Sequence, residues 1–123
     1  MFRERPEAFE YDDLARQWCL TGLARGADQE LDLLECVFFY VPLEHSECRA
    51  EQHRSVDLYA QLKRRISATE RELFSIFLLF ELSARKHCSV VDRFGRFPHR
   101  NRVLGRPSSP EELEFLKQPG SSF

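Results

Sequence analysis

Apolar residues recur at helical spacing along most of the chain, and no segment alternates apolar and polar positions as a half-buried strand does. Asp12 precedes a first helix whose apolar positions are Leu14, Trp18, Cys19 and Leu23, with Gly26 near its end. A second runs from about Leu31 to Val41 through Leu34, Val37 and Phe38, and Pro42 is its expected stop. Ser46 is the expected cap of a third, which carries Val56, Leu58, Tyr59, Leu62 and Ile66. Ser67 or Thr69 opens a fourth and longest helix, closed after Phe94 by Gly95. Ser109-Pro110-Glu111-Glu112 joins a capping hydroxyl, a first-turn proline and a glutamate at the third position, and it starts a short fifth helix through Leu113, Phe115 and Leu116. The pattern predicts an all-α chain of about five helices in antiparallel hairpins, one domain over residues 1–123.

The fourth helix departs from ordinary amphipathicity. Eight of the ten residues from Leu73 to Leu82 are apolar and point around the full circle. A helix apolar on all sides must be covered on all sides. Few neighbours exist in a chain of this length, so a homodimer through Leu73, Phe74, Phe77, Leu78 and Phe80 is expected.

Composition narrows the class. The chain has 123 residues, 42% hydrophobic and 31% charged, an ordinary globular balance that excludes wholesale disorder. The apolar run Ile76 to Phe80 is far below the ~20 residues of a membrane span. The opening Met1-Phe2-Arg3-Glu4-Arg5 lacks the apolar core of a signal peptide, so a cytoplasmic location is expected and no membrane partner. Cys19, Cys36, Cys48 and Cys88 show no C-x-x-C spacing and are read as reduced thiols, mostly small apolar fillers.

Charge is unevenly placed although the net is −2. Residues 1–50 hold 5 basic and 11 acidic side chains, whereas residues 51–107 hold 12 basic and 6 acidic. Fifteen of the 18 basic residues are arginine, whose fork suits carboxylate or phosphate.

Two segments do not read as helix-building sequence. Pro42-Leu43-Glu44-His45-Ser46-Glu47 offers two carboxylates and an imidazole. From Arg93 to Arg106 there are five arginines and one histidine with no acid, around Phe94-Gly95-Arg96-Phe97-Pro98-His99-Arg100-Asn101. A loop ordered by Gly and Pro that gathers guanidinium groups is a candidate anion site, with Arg96, His99, Arg100 and Asn101 as ligands. Complementary charge predicts that the two segments meet, Glu44 or Glu47 accepting from Arg96 or Arg100. His53 and His87 fall on helical segments and read as surface or packing residues. A metal set drawn from His45, Glu47, His87 and His99 fits no helix-face motif, so no metal and no cofactor are expected. No nucleotide-binding glycine loop or nucleophile elbow is present. Nucleic acid is not an expected partner at a pI near 6.1.

At these two segments the chain resembles a bacterial family, domain of unknown function 924, an all-helical family grouped with tetratricopeptide-like folds. The family pattern P-L-x-H-S-E is matched by Pro42 to Glu47, and F-G-R-F-P-H-R-N by Phe94 to Asn101. It continues in Leu104-Gly105-Arg106, in Ser109-Pro110-Glu111-Glu112 and in Gly120-Ser121-Ser122-Phe123. Near the start, Phe2-Arg3, Pro6, Ala8-Phe9 and Asp12 are similar to the family's F-R-G-T-P-x-A-F-x-x-D. Glu4, Cys48 and Ser89 depart from the family's Gly, Asp and Asp. Members carry a further N-terminal helical portion, so the resemblance implies correspondence to the C-terminal two-thirds of the family domain. It implies a tetratricopeptide-like fold and a set of residues rather than a reaction.

Two functions compete. The leading one is a helical-repeat-like interaction module that holds a small anionic ligand or a peptide. The alternative is a small hydrolase-like enzyme with His45 or His99 as general base, Glu47 as its orienting partner and the arginine loop as anion holder. An enzyme brings His45, Glu47, His99 and Arg100 to one pocket, whereas a scaffold scatters them.

Overall fold

Helices here begin where a side chain answers the first unpaired N–H groups, or where packing takes the place of a cap. The computed structural model describes residues 9–66 and 70–123. Helix α1 (Glu10–Ala24) follows Phe9 with no side-chain cap. The expected cap, Asp12, lies inside the first turn instead, its carboxylate 3.9 Å from Arg100. After a 3-10 turn (Ala27–Glu30), Asp32 caps α2 (Leu33–Phe39) in a capping box with Glu35. Pro42 does not stop that helix. The helix closes at Tyr40, and Pro42 sits in the first turn of α3 (Val41–Glu44), where a missing N–H leaves no bond unmade.

Helix α4 (Arg49–Arg64) is capped at Cys48, two residues after the expected Ser46. The Ser46 hydroxyl still serves this end: it accepts from the Cys48 N–H at 3.0 Å and donates to Glu51 at 2.8 Å. Helix α5 (Arg71–Phe94) ends as predicted at Gly95, which takes the left-handed φ of 74° that a side chain disfavours. The starts foreseen at Ser67 or Thr69 lie outside the described residues. A 3-10 turn (Pro98–Arg100) leads into α6 (Asn101–Leu104). Helix α7 (Pro110–Leu116) begins with the predicted box, Ser109 and Glu112 answering each other's N–H groups.

The chain is all-α, with no strand among the described residues. Helices α4 and α5 form the main pair and run antiparallel: Arg49 donates to the carbonyl of Asp92 at one end, and Lys63 reaches Glu81 at the other. Cys36, Val37, Tyr40, Tyr59, Leu62, Phe77 and Ala84 make the larger core cluster, joining α2, α4 and α5. A smaller cluster of Val90, Val91 and Phe97 lies toward the C-terminal end, with Phe94, Phe115 and Phe123 against it. Gly22 of α1 permits the close approach of Phe39, since a Cβ there would stand 2.6 Å from the ring.

The helix faces are covered unequally. In α1, Cys19 is buried and Leu23 packs on the core, but Leu14 and Trp18 are exposed because α3 covers the other side. In α2, Val37 is fully buried while Leu34 and Phe38 face out. In α5, Phe77 is enclosed within the chain itself and is unavailable to a partner. Leu73, Leu78 and Phe80 are half-buried, and Phe74, Ile76, Leu79 and Leu82 are exposed. Cys19, Cys36 and Cys88 are buried free thiols, and Cys48 is exposed rather than a filler.

Candidate functional site

The segment at 42–47 is held open by its neighbours. The short α3 buries Leu43 and Glu44, and the buried Gln52 amide of α4 donates to the carbonyls of Glu44 (2.7 Å) and Ser46 (2.6 Å). Those two bonds satisfy carbonyls at the end of α3 and fix the turn that follows it. The second segment follows Gly95, which turns the chain so that Phe97 enters the smaller core.

The two segments meet, through other pairs than those the charges suggested. Glu47 accepts from the Phe97 N–H at 2.7 Å and from both Arg106 Nη atoms at 2.9 and 3.1 Å. Burial pushes the Glu47 carboxyl up, but Arg106 and the Phe97 N–H together hold it below the usual carboxylate range. Arg100 donates to the His45 carbonyl at 2.9 Å, with its guanidinium between the rings of Phe9 and Phe97, 4.6 and 4.7 Å from their centroids.

Arg96 and Asn101 turn to a residue first read as a helix cap. Buried Glu112 receives two bonds from Arg96 (2.9 and 2.8 Å), one from Asn101 (3.2 Å) and one from the Ser109 N–H (2.9 Å). Of the four residues gathered as an anion site, Arg96 and Asn101 thus face a carboxylate of the chain, Arg100 faces the His45 turn, and His99 lines a groove apart from them.

Three hollows surround this junction. The first, about 410 Å³, is lined by His45, Glu47 and Arg100, so three of the four residues of the enzyme reading share one cleft. Asp12, Asp13 and Glu51 also line it, and four carboxylates against Arg16 and Arg100 make it a poor seat for an anion.

The second hollow, about 440 Å³, lies on the other side of His45. Its walls are Val41, Leu79, Phe80 and Phe123, and Glu44, Ser83 and His87 converge in it. Ser83 donates its hydroxyl to Glu44 Oε1, and His87 Nδ1 lies 3.1 Å from that oxygen and 2.7 Å from the Ser83 carbonyl. Burial raises the Glu44 carboxyl against the opposing pull of Ser83 and His45. Burial likewise lowers both imidazoles, more than Asp12 and Glu44 raise His45 or the Ser83 carbonyl raises His87. Sequence reading placed His87 among packing residues and passed over Ser83. Their spacing of four on one helix, which sets them on one face, was the available signal.

The third, about 530 Å³, is a groove with no acidic side chain among its lining residues. His99, Arg102 and Arg106 line it together with Ser108, Ser121 and Ser122, and Phe9, Leu113, Leu116 and Phe123 supply its apolar part. For a metal, the convergent group among the described residues is none of those weighed from sequence: His53, Cys88 and Asp92 place one ligand atom each within 4.8 Å of one another. Among the described residues, no helix is long and apolar enough to cross a membrane.

Comparison with known proteins fits these segments. The family model described as "Bacterial protein of unknown function (DUF924)" matches residues 1–120. The chain belongs to this family. A solved structure of a protein of unknown function from Agrobacterium tumefaciens is 36% identical and superposes with a TM-score of 0.76. The match covers 95% of the present chain and 58% of the Agrobacterium protein, so the chain spans little more than half of that relative's length. No curated protein matches it. As a member of the family, the chain is a helical protein whose fold the relative shares.

Proposed function

We propose that the chain is a binding module for a small anion with an apolar body, seated in the groove beside His99. One observation carries the reading: Arg102 lines a hollow without acidic side chains and makes no ion pair among the described residues. Arg106 is shared with Glu47 and adds less. The serine hydroxyls supply neutral donors, and Phe9, Leu113 and Leu116 accept an apolar chain. A medium-chain carboxylate and a phosphate monoester share this chemistry, and the two arms of a thermal-shift experiment separate them. Decanoate or hexyl phosphate at 100-fold its dissociation constant should add about 2.7 kcal/mol, a rise on the order of 10 °C. Arg102→Glu should abolish the rise and leave the unliganded melting temperature unchanged. No shift with either ligand in the wild-type chain ends this reading.

The proposal extends to a cytoplasmic setting, which four free thiols support. It includes self-association through the exposed side of α5. Phe74, Ile76 and Leu82, with Phe38 nearby on α2, leave apolar surface whose burial contributes about 1.5–3 kcal/mol per side chain when complete. Light scattering at micromolar concentration should give twice the chain mass of 14.5 kDa. Phe74→Asp should return a monomer, and a monomer in the wild type rules out the dimer.

A further inference from the structure

We propose that the hollow between α3 and α5 is a hydrolytic site for uncharged carboxylic esters of small apolar acids, with His87 as general base and then as proton donor, and Glu44 as its positioning residue. The proposal does not rest on the anion groove, with which this hollow shares only Phe123 among its lining residues and from which it differs in charge.

Four polar side chains converge in a hollow otherwise walled by Val41, Leu79, Phe80 and Phe123. A buried carboxylate beside an imidazole fixes the ring and its tautomer. Here Glu44 Oε1 and the Ser83 carbonyl both flank His87 Nδ1, at 3.1 and 2.7 Å. Two acceptors at one ring nitrogen place its proton there and leave the lone pair on Nε2. The ring is clamped further by Phe123 at 4.2 Å and Phe97 at 5.7 Å between centroids. His45 stands across the hollow, its ring centroid 6.1 Å from that of His87, so two imidazoles flank one space.

The substrate class follows from the walls. Neither Arg nor Lys lines the hollow, so nothing there neutralises an anionic substrate, and the apolar residues suit a short acyl chain. In the step, His87 Nε2 takes a proton from water as the water oxygen bonds to the ester carbonyl carbon. The bond from that carbon to the leaving oxygen then breaks. The His87 imidazolium gives that same proton to the leaving oxygen, so the imidazole is restored and no oxidant or other reactant is needed. An imidazole lowered by burial is a mild base, which favours esters with good leaving groups over amides.

The groups that face His87 set the pH dependence. Burial is the largest influence and favours the neutral ring, as do Arg100 and Lys86, while the Ser83 carbonyl of α5 favours the protonated one; Glu44 Oε1 of α3 lies 3.1 Å from Nδ1, and His45 faces the ring across the hollow. The rate should therefore rise with pH through an inflection below the ordinary imidazole value of 6.5.

The test is hydrolysis of p-nitrophenyl butyrate by the full chain, with p-nitrophenyl phosphate as the charged comparison. Turnover of the butyrate above buffer, none of the phosphate, and an inflection below 6.5 are expected. His87→Gln should lower kcat about 100-fold or more. Glu44→Gln should lower kcat with little change in KM and move the inflection further down, because a negative charge next to the imidazole is gone; a merely structural Glu44 would leave the inflection in place. Should His87→Gln fail to fold, Leu79→Arg serves, since Leu79 is 67% exposed and its replacement fills the mouth without touching the core. Butyrate turnover equal to buffer, or turnover that survives either His87→Gln or Leu79→Arg, overturns the proposal.

Discussion

Glu112→Gln should destabilise the fold by about 2–3 kcal/mol at neutral pH and remove a large part of its sensitivity to acid. Glu112 is buried yet holds four hydrogen bonds, and the two from Arg96 put its carboxyl at about 2. Burial opposes that shift, but the Ser109 N–H and Asn101 reinforce it. The unfolded chain carries the ordinary value of 4.5. A carboxyl depressed on folding contributes stability that is fully present above the unfolded value and is lost as pH falls through the folded one. The window is therefore from about pH 5 down to about 2. Each unit is about 1.4 kcal/mol, giving roughly 3 kcal/mol in all, less some screening because the Arg96 side chain is 30% exposed. Glutamine keeps the shape and can still answer the Ser109 N–H, so the variant isolates the charge. Urea unfolding at pH 7, 4 and 2.5 measures it. A variant that loses as much stability on acidification as the wild type would show that Glu112 is not the group titrating.

Local signals were legible in the sequence, and pairings were not. The Ser109 to Glu112 box and Gly95 were readable because a cap and a left-handed glycine involve neighbours within four residues. Asp32 and Glu35 carry the same spacing, which a helix start at about Leu31, two residues before the observed one, passes over. Ser46 was placed in the right turn and given the wrong N–H. The loops at 42–47 and 93–106 stood out by composition, and their meeting followed from charge. Which arginine meets which glutamate did not follow. Arg106 reaches Glu47 across 59 positions, while Arg96 turns to Glu112 only 16 away, and the choice is made by where Gly95 and Gly105 redirect the chain. Burial shows the same limit. Apolar spacing marked Trp18 and Phe38 as inward-facing, yet both are exposed, because periodicity gives a helix a face without saying which neighbour covers it. His87 packs on Phe97 and Phe123 as a packing residue does, but on an otherwise mixed helix face nothing local announces that α3 brings a carboxylate to it.

Phe97→Ala should be the most damaging single truncation at the junction, costing about 3–5 kcal/mol. Phe97 has no exposed surface and joins the parts that make the site. Its ring packs on Val90 and Val91, meets His87 edge-on at 5.7 Å and Phe123 at 5.7 Å, and supports the Arg100 guanidinium at 4.7 Å. Its backbone is held at the same time, the N–H by Glu47 and the carbonyl by Arg106 at 3.2 Å. The segment therefore cannot slide to fill the space, and an incompletely closed cavity lies at the upper end of the cost range. Phe97→Leu keeps most of the volume and should cost about 1.5 kcal/mol or less. The comparison of the two variants carries the argument, because both keep the backbone bonds to Glu47 and Arg106. Chemical unfolding gives both numbers, and near-UV circular dichroism reports whether the aromatic cluster persists. Equal losses for alanine and leucine would mean that the backbone bonds, not the ring, hold the two segments together, and that the imidazole of His87 takes its position from Glu44, the Ser83 carbonyl and Phe123.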